Sequence, residues 1–562
     1  MSAPAFTHAQ PEPTANEIRK QTGIDTGICV LLGFGDAELA ADLTQGGRMV
    51  VQCLLREKQV PAVRRTLEKR GVYGFASADR LPTSHRLPYA DNLVSLIVCD
   101  LDALADQTPR RDELLRVLRP RGVLHSRQKG AWTTTVKPMP KDMDEWTHFH
   151  HGPDGNPVSQ DEQVGPPTGL QWIAGVATMA SEPTTAYRLA GGRAIHEWNG
   201  PVRDRLHPES YLVCRDAFSG VALWSKRTDQ RPYKTRPLIL TDDHVFTYLD
   251  GEGSLVALDA KTGELVRTFD EGGRPGKKVP GGRADVNLAY HDGVIMQTAG
   301  DTAYALNAET GKLIWKHTEA EGRYVDYPTI AAATGQVFFT SGLTGRDVGR
   351  YPGADAREII AFDLKSRKQL WRREMDRELS QLCFSDGGLF AFNLAGFIGR
   401  PRDLFLARLK PEDGAIVWKI NPGAKGQFLD FAVIGGKIYV MSLGLKVYAA
   451  ADGKEIAALN MPGNSRCEMS RATKNQLLMS FGNFIDLASE PLQLQRCEIT
   501  RGSCGTGNTP GYGMLYYNPN RCQCFVSVRG YLALSREKTA EPIADELRLE
   551  SFQAANFKPP ET

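Results

Sequence analysis

One repeated pattern limits this chain more than any other feature. A short strand leads into a tight turn, a Gly ends the turn, and a second strand follows that often ends in Trp. The copies are "CRDAFSGVALWSK", "ALDAKTGELVRTF", "ALNAETGKLIWKH", "AFDLKSRKQLWRR", "RLKPEDGAIVWKI" and "YAAADGKEIAAL". Their turn glycines are Gly220, Gly263, Gly311, Gly414 and Gly453, with Arg367 in one slot, at a spacing of roughly 40 to 56 residues. Alternating strands such as "GGKIYVMSLG" and "DGVIMQTAG" precede the copies. About four short strands per unit at this period mean a β-propeller. The turn chemistry agrees: Asp or Asn bonds its own backbone two residues on, and Gly takes the left-handed position. Trp224, Trp315, Trp371 and Trp418 recur at one point of the repeat. They are expected to wedge between neighbouring blades rather than to touch a ligand.

Two further units lack the consensus turn. One runs from "CEMSRATKNQLLMSFGNFIDL" to about Cys497, and the last is "GYGMLYYNPNRCQCFVSVRGYLALS". Counting from "TTAYRLAGGRAIHEW" gives eight blades across residues 166–540, followed by a tail over 541–562. The early strand "GLQWIAG" is expected to pair with the last blade and close the ring, which removes exposed sheet edges. A closed propeller offers a funnel of loops at one end. The irregular stretches 343–358 and 393–404 are candidate rims; Arg346, Arg350, Arg400 and Arg402 on them would suit an anionic ligand, against the plainer reading of solvated loops.

The first part of the chain reads differently. After an N-terminal segment, residues 1–23, strand and helix patterns alternate over 24–130. "GICVLLGFG" ends in Gly33-Phe34-Gly35 with Asp36 next, and a helical "DAELAADL", a strand "RMVVQCLL" and further pairs follow, including a helix over "RRDELLRVLRPRG". Such alternation implies an α/β unit with a parallel sheet wrapped by helices. The glycine turn after the first strand is where these folds bring backbone close to a nucleotide. The chain is therefore read as multidomain: a Rossmann-like α/β domain, a junction over 131–165, then an all-β eight-bladed propeller.

The order "LLGFGD … LPYADNLVSLIV … ELLRVLRPRGVL" resembles class I S-adenosylmethionine-dependent methyltransferases over residues 24 to 128. The resemblance implies S-adenosylmethionine as cofactor, with Gly33, Gly35 and Asp36 at its methionine end, Glu57 near the ribose and Asp79 facing the adenine. The pattern is incomplete. Leu55 stands where the ribose-binding acid is expected, Ser95 where the fourth strand usually opens with Asp, and the family's later strands are missing, so the unit is read as truncated and degenerate. The propeller repeat resembles the pyrroloquinoline-quinone (PQQ) type, a family that includes quinoprotein alcohol dehydrogenases. That family's cofactor-covering Cys-Cys dipeptide does not occur here, so PQQ is not expected. The whole arrangement resembles exported proteins of planctomycete-type bacteria, whose C-terminal blades carry "RGxCxxGxxPxxGxxY" and "PxxCxC". Here these read "RGSCGTGNTPGYGMLY" and "PNRCQC".

With 68 basic and 66 acidic residues, the net charge of +2 points to neither nucleic acid nor an anionic membrane. No apolar run reaches the roughly 18 to 20 residues of a membrane helix. "AFTHAQPEP" near the start looks like the end of a cleaved leader, and places the protein in the periplasm or outside the cell. Of ten cysteines, Cys29, Cys53, Cys99, Cys214 and Cys383 are isolated in apolar runs and read as buried thiols. Cys467, Cys497, Cys504, Cys522 and Cys524 crowd the last hundred residues. There, disulfides among Cys467, Cys504, Cys522 and Cys524 are expected, with Cys504 paired to Cys522 or Cys524, and a soft metal on Cys522 and Cys524 as the alternative.

Between the two units lies "DEWTHFHHGPDGN", residues 144 to 156. Strand alternation puts His148 and His150 on one face and His151 on the other, and the following turn residues leave His148 with His151 as a pair. The junction of the planctomycete-type proteins it resembles, "DEWTHxxHDxxxN", matches the same two. They are candidate metal ligands or acid–base groups with Asp144 and Glu145, against a purely structural role at a junction. The leading function is a ligand-binding or scaffold protein meeting a small molecule, glycan or protein partner at the funnel. The alternatives are an enzyme on an extracellular glycan or other substrate in that funnel, a methyltransferase, and a quinoprotein-type oxidoreductase.

Overall fold

In the computed structural model, each consensus turn joins the third and fourth strands of a four-stranded antiparallel sheet. The structure describes residues 12–44, 48–82, 86–174, 186–199, 210–228, 237–250, 253–274, 286–343, 356–379, 381–393, 404–423, 430–442, 444–461, 469–497, 502, 507–519 and 530–536. Eight blade sheets follow one another, the seventh with a fifth, parallel strand, so the ring has eight blades. The last blade takes three strands from residues 509–535 and its outer strand, β8 (Gly169–Ala174), from before blade 1. The expected closure is therefore the observed one, and both ends of the ring are hydrogen-bonded together. The first strands of successive blades lie side by side and form the inner wall.

The recurring tryptophans do the wedging that the repeat implied. Trp172 Nε1 donates to Ala217 O at 2.8 Å, Trp224 to Ala260 O at 3.0 Å, Trp371 to Pro411 O at 2.7 Å and Trp418 to Ala450 O at 3.1 Å. Each indole comes from an outer strand and binds the turn of the next blade. The Gly at that turn has two reasons to be Gly. Its φ is positive, and an added Cβ would lie 2.6 to 2.8 Å from the indole at Gly220, Gly263, Gly414 and Gly453. In blade 2 Arg267 replaces the Trp and donates to Ala308 O at 2.8 Å. Where Arg367 replaces the Gly, it still takes φ +62°. Trp315 there packs edge-on against Phe362, with centroids 4.8 Å apart.

The N-terminal part holds a six-stranded sheet of β1 (Gly27–Leu32), β2 (Met49–Leu55), β3 (Ala76–Arg80), β4 (Val94–Asp100), β5 (Leu118–Gln128) and β6 (Ala131–Val136), in the order β3-β2-β1-β4-β5-β6. The first five strands are parallel, and β6 returns antiparallel to β5 beyond residue 130. Both faces are apolar: Cys29 and Leu31 pack with Ala40 and Val63 on one, Val30 and Leu32 with Leu114 and Val117 on the other. Burial on both sides explains the near-continuous apolar runs of β1 and β4. The helix read over "RRDELLRVLRPRG" stops at Val117 and gives way to β5 at Leu118. Pro120, with no N–H to donate, cannot continue a helix.

This sheet is fastened to the propeller. Arg119 Nε lies 3.0 Å from Asp216 Oδ2, both nearly buried, and also donates to Ser95 Oγ. Asp216 is the turn-opening Asp of blade 1, and its other oxygen accepts the N–H groups of Phe218 and Ser219. Arg121 pairs with Asp242 at 3.0 Å, and Gln171 Nε2 donates to Asp91 O. The Ser95 departure from the methyltransferase pattern thus coincides with the docking contact.

The Trp–Gly contact makes a signed prediction. Gly263→Ala puts an L-residue at φ +74° and a methyl into Trp224, which should cost about 2 to 4 kcal/mol. Arg367→Gly should instead gain up to about 1 kcal/mol by releasing a left-handed non-glycine. Equilibrium denaturation of the two variants against wild type checks both signs.

Candidate functional site

The junction segment turns out to be the hub of the ring. From Asp144 to Asp161 it touches all eight blades in order. Asp144 O accepts from Tyr512 N of blade 8, and Trp146 exchanges both backbone bonds with Leu189 of blade 1 at 2.9 Å. Thr147 O accepts from Leu240 N of blade 2, and His148 Nε2 from Tyr290 N of blade 3 at 2.9 Å. Pro153 O and Asp154 O accept from Ile330 N and Phe384 N of blades 4 and 5, each at 2.8 Å. Asn156 uses both ends of its amide on Val433 of blade 6. The strand β7 (Val158–Ser159) then adds in parallel to the first strand of blade 7. Asp161 Oδ2 closes the circuit on Gly513 N of blade 8 at 2.8 Å.

All these contacts fall at the C-terminal ends of the inner strands. The segment therefore plugs one end of the central channel. Its polar atoms partner inner-edge groups that would otherwise be buried and unpaired. The inner strands' opposite ends are stitched blade to blade by side chains. Arg188 Nε donates to Leu238 O, Asn287 to Asp326, and Arg471 NH1 to Asn508 O and Thr509 Oγ1, while Asp430 accepts from Ser470 N. Arg471 also lies over the Trp146 ring at 4.8 Å, and Arg188 over Phe149 at 5.8 Å. Burial, then the charge of Arg471, pushes Arg188 down to about 9.

His148 and His151 meet through their backbones, since His148 N donates to His151 O at 3.0 Å. Their rings go separate ways. His148 is buried; its Nε2 accepts from Tyr290 N, so Nδ1 carries the proton and donates to Thr147 Oγ1 at 2.7 Å. Thr147 in turn donates to His151 O. Both nitrogens of His148 are used inside the fold, and burial holds its pKa down at about 3. His151 has φ +72°, and its Nε2 lies 2.7 Å from Asp144 Oδ2. Burial works against the Asp144 charge, but the His151 bond and the N–H groups of Gln160 and Glu145 outweigh it and hold its pKa at about 2. Glu145 is raised by burial and accepts from Tyr512 Oη and Gly191 N. Among the described residues no three His, Cys, Asp or Glu side chains are placed to hold a metal ion.

The nucleotide-site candidates lie at the C-terminal edge of the parallel sheet, where the order turns between β1 and β4. Gly33 packs so closely on β4 that an added Cβ would be 2.7 Å from Asp100 O. At Gly35 an added Cβ would be 2.9 Å from Gln59 Nε2. Asp36 caps the helix Ala37–Leu43 by accepting from Glu38 N. Glu57 opens an exposed turn, and Asp79 lies 3.6 Å from Arg64. Arg56 reaches across the edge to Ala103 O. Cys29, Cys53, Cys99, Cys214 and Cys383 are buried thiols. Cys467, Cys504, Cys522 and Cys524, and the rim arginines Arg346, Arg350, Arg400 and Arg402, lie outside the described residues.

A family profile described as outer membrane protein assembly factor BamB matches residues 172–393. Over those residues the eight-bladed β-propeller is similar to this family. Solved structures with this likeness include BamB from Moraxella catarrhalis, 14% identical over 63% of this chain and 81% of its own, TM-score 0.34. A europium-containing methanol dehydrogenase is 10% identical over 67% and 90%, TM-score 0.47. Quinohemoprotein alcohol dehydrogenase from Comamonas testosteroni is 12% identical over 71% and 82%, TM-score 0.45. No curated protein matches the chain. No helix among the described residues is long and apolar enough to cross a membrane.

What sequence reasoning missed is the reach of the segment. The signal was present as a run of Gly, Pro, Asp and Asn, residues that give up regular structure and leave carbonyls for outside donors. For His148, the pH dependence follows from its burial. Its folded pKa of about 3 lies below the ordinary 6.5, so the unfolded chain binds the extra proton between those values. Its contribution is complete above pH 6.5 and lost as pH falls toward 3, at about 1.4 kcal/mol per pH unit. His148→Gln, which keeps an acceptor for Tyr290 N–H, should flatten this part of the acid slope in urea unfolding measured from pH 7 to pH 4.

Proposed function

We propose that this protein is an exported ligand-binding or scaffold protein whose small-molecule, glycan or protein partner meets the propeller at the end opposite the plug. One observation carries this reading: a single segment hydrogen-bonds to all eight blades and closes the channel at the ends of the inner strands. A ligand approaching the axis then has the other end of the channel, where the inner strands begin near Asn287, Asp430 and Arg471. A propeller mouth is a concave site on a rigid frame. The C-terminal cysteine cluster supports export.

The N-terminal sheet, on this reading, is a relative of the S-adenosylmethionine-binding fold that serves as a docked support. Its strand order and glycine turn support the kinship. Gln59 over Gly35, the Arg56 bridge to Ala103 and the helix-capping use of Asp36 support loss of the cofactor. A charge-assisted ribose bond lost at Leu55 alone would weaken binding by about 1.5 to 3 kcal/mol.

Calorimetric titration with S-adenosylmethionine should give no binding heat. A saturable isotherm would overturn the support reading. For the propeller, an array of neutral, carboxylated and sulfated oligosaccharides followed by hydrogen-exchange mapping is the direct test. Protection should concentrate at the mouth, near Asn287, Asp326, Asp430 and Arg471. Protection confined to 144–161 would place the ligand at the plugged end instead and defeat the proposal.

A further inference from the structure

The plug contains a pair of groups that the fold does not fully consume. We propose that Asp144 and His151 form a proton-accepting site on the plugged face, with His151 Nδ1 as general base toward a water or hydroxyl group. This site is separate from the mouth invoked above and stands or falls independently of it.

Three observations carry the assignment. The first is orientation. His151 Nε2 donates to Asp144 Oδ2 at 2.7 Å, and that oxygen also accepts from Ser159 Oγ at 3.1 Å and Gln160 N at 2.6 Å, so the carboxylate is held in place from three sides. With the Nε2 proton committed to Asp144, the lone pair lies on Nδ1. The second is availability. His148 spends both nitrogens inside the protein, whereas among the described residues none hydrogen-bonds His151 Nδ1, and the side chain is 20% exposed. The third is the backbone. His151 sits at φ +72°, a conformation that non-glycine residues adopt at a cost, and it is held there by bonds from His148 N and Thr147 Oγ1 to its carbonyl. The Trp146 ring meets the imidazole edge-on at 5.3 Å and limits its rotation. A base in hydrogen-bond contact with an orienting carboxylate is the arrangement general-base chemistry requires.

The surroundings choose the substrate class. Asp144, Glu145, Asp154 and Asp161 all belong to this short segment. Of these, Asp144, whose pKa is held at about 2, faces the imidazole directly, and its charge disfavours an anionic substrate. The site suits an uncharged compound with an acyl carbon and an oxygen leaving group. In that reaction a water oxygen bonds to the acyl carbon as its proton passes to Nδ1. The bond to the leaving oxygen then breaks, and Nδ1 returns the proton to that oxygen. Nε2–H stays with Asp144 throughout. His151 is the catalytic residue here and Asp144 its positioning residue.

The test uses the whole protein and two probes. The first is p-nitrophenyl acetate: wild type should hydrolyse it above the buffer rate, and His151→Gln should remove that increment. Asp144→Asn should lower kcat tenfold or more with KM unchanged, on the order of the loss general-base catalysis implies. The second probe is diethyl pyrocarbonate on wild type, mapped by peptide mass spectrometry, which needs no variant to fold. His151 should be carbethoxylated well ahead of His148 and faster than in the unfolded protein. Full hydrolysis by a folded His151→Gln variant, or a His151 modified no faster than in the unfolded chain, would overturn the proposal.

Discussion

A ring of eight sheets leaves eight inner strand edges facing one another across a narrow axis. Backbone groups there are shut off from water, and an unpaired one costs about 1 to 3 kcal/mol. The segment Asp144–Asp161 resolves this by placing its own carbonyls, one imidazole, one amide and one carboxylate against those edges in blade order. Most other features of the molecule depend on that arrangement. It sets which end of the channel is closed. It brings Trp146 and Phe149 beneath the buried guanidiniums of Arg471 and Arg188. It also bends the chain back at His151, so that Asp144 and His151 meet across seven residues.

Around this hub the blades are held at two radii. Near the axis, polar side chains reach from one blade to the backbone of the next, as Arg188 does to Leu238 and Arg471 to Asn508. Farther out, indoles dock on turns, and Arg267 does the same work with a guanidinium on Ala308. The ring closure itself uses both kinds of link. β8 pairs with the last strand of blade 8, and its Trp172 docks on the turn of blade 1. Because Asp216 in that turn also holds Arg119, the closure, the first blade and the N-terminal sheet share one contact.

The propeller was legible because its signals are local. A turn needing a left-handed residue, an Asp that binds the next N–H groups and a Trp at fixed offset each act within one hairpin or between adjacent ones. Blade number and the closing strand followed from counting them. Arg367 shows the limit of the pattern: the sequence breaks there, yet the backbone keeps φ +62° because the flanking strands impose the turn. The parallel sheet was legible for a similar reason, through apolar runs buried on both faces. The hub was harder to read. Strand alternation separates His148 from His151, while the observed reverse turn pairs their backbones and sends their rings to Tyr290 and Asp144.

Sequence alone therefore determined the eight-bladed ring, its closing strand, the role of the tryptophans and the alternating α/β character of the start. Each rests on interactions between residues close in the chain, or repeated often enough to be counted. Only the tertiary structure decided what "DEWTHFHHGPDGN" does. Its partners lie between roughly 40 and 370 residues away in the chain, and no local periodicity encodes such contacts. The same holds for Ser95 and Arg119, whose meaning appears only with Asp216 beside them. One histidine of the pair becomes a buried neutral acceptor and the other keeps a nitrogen for the outside, a difference set by which backbone N–H the closed ring brings within reach.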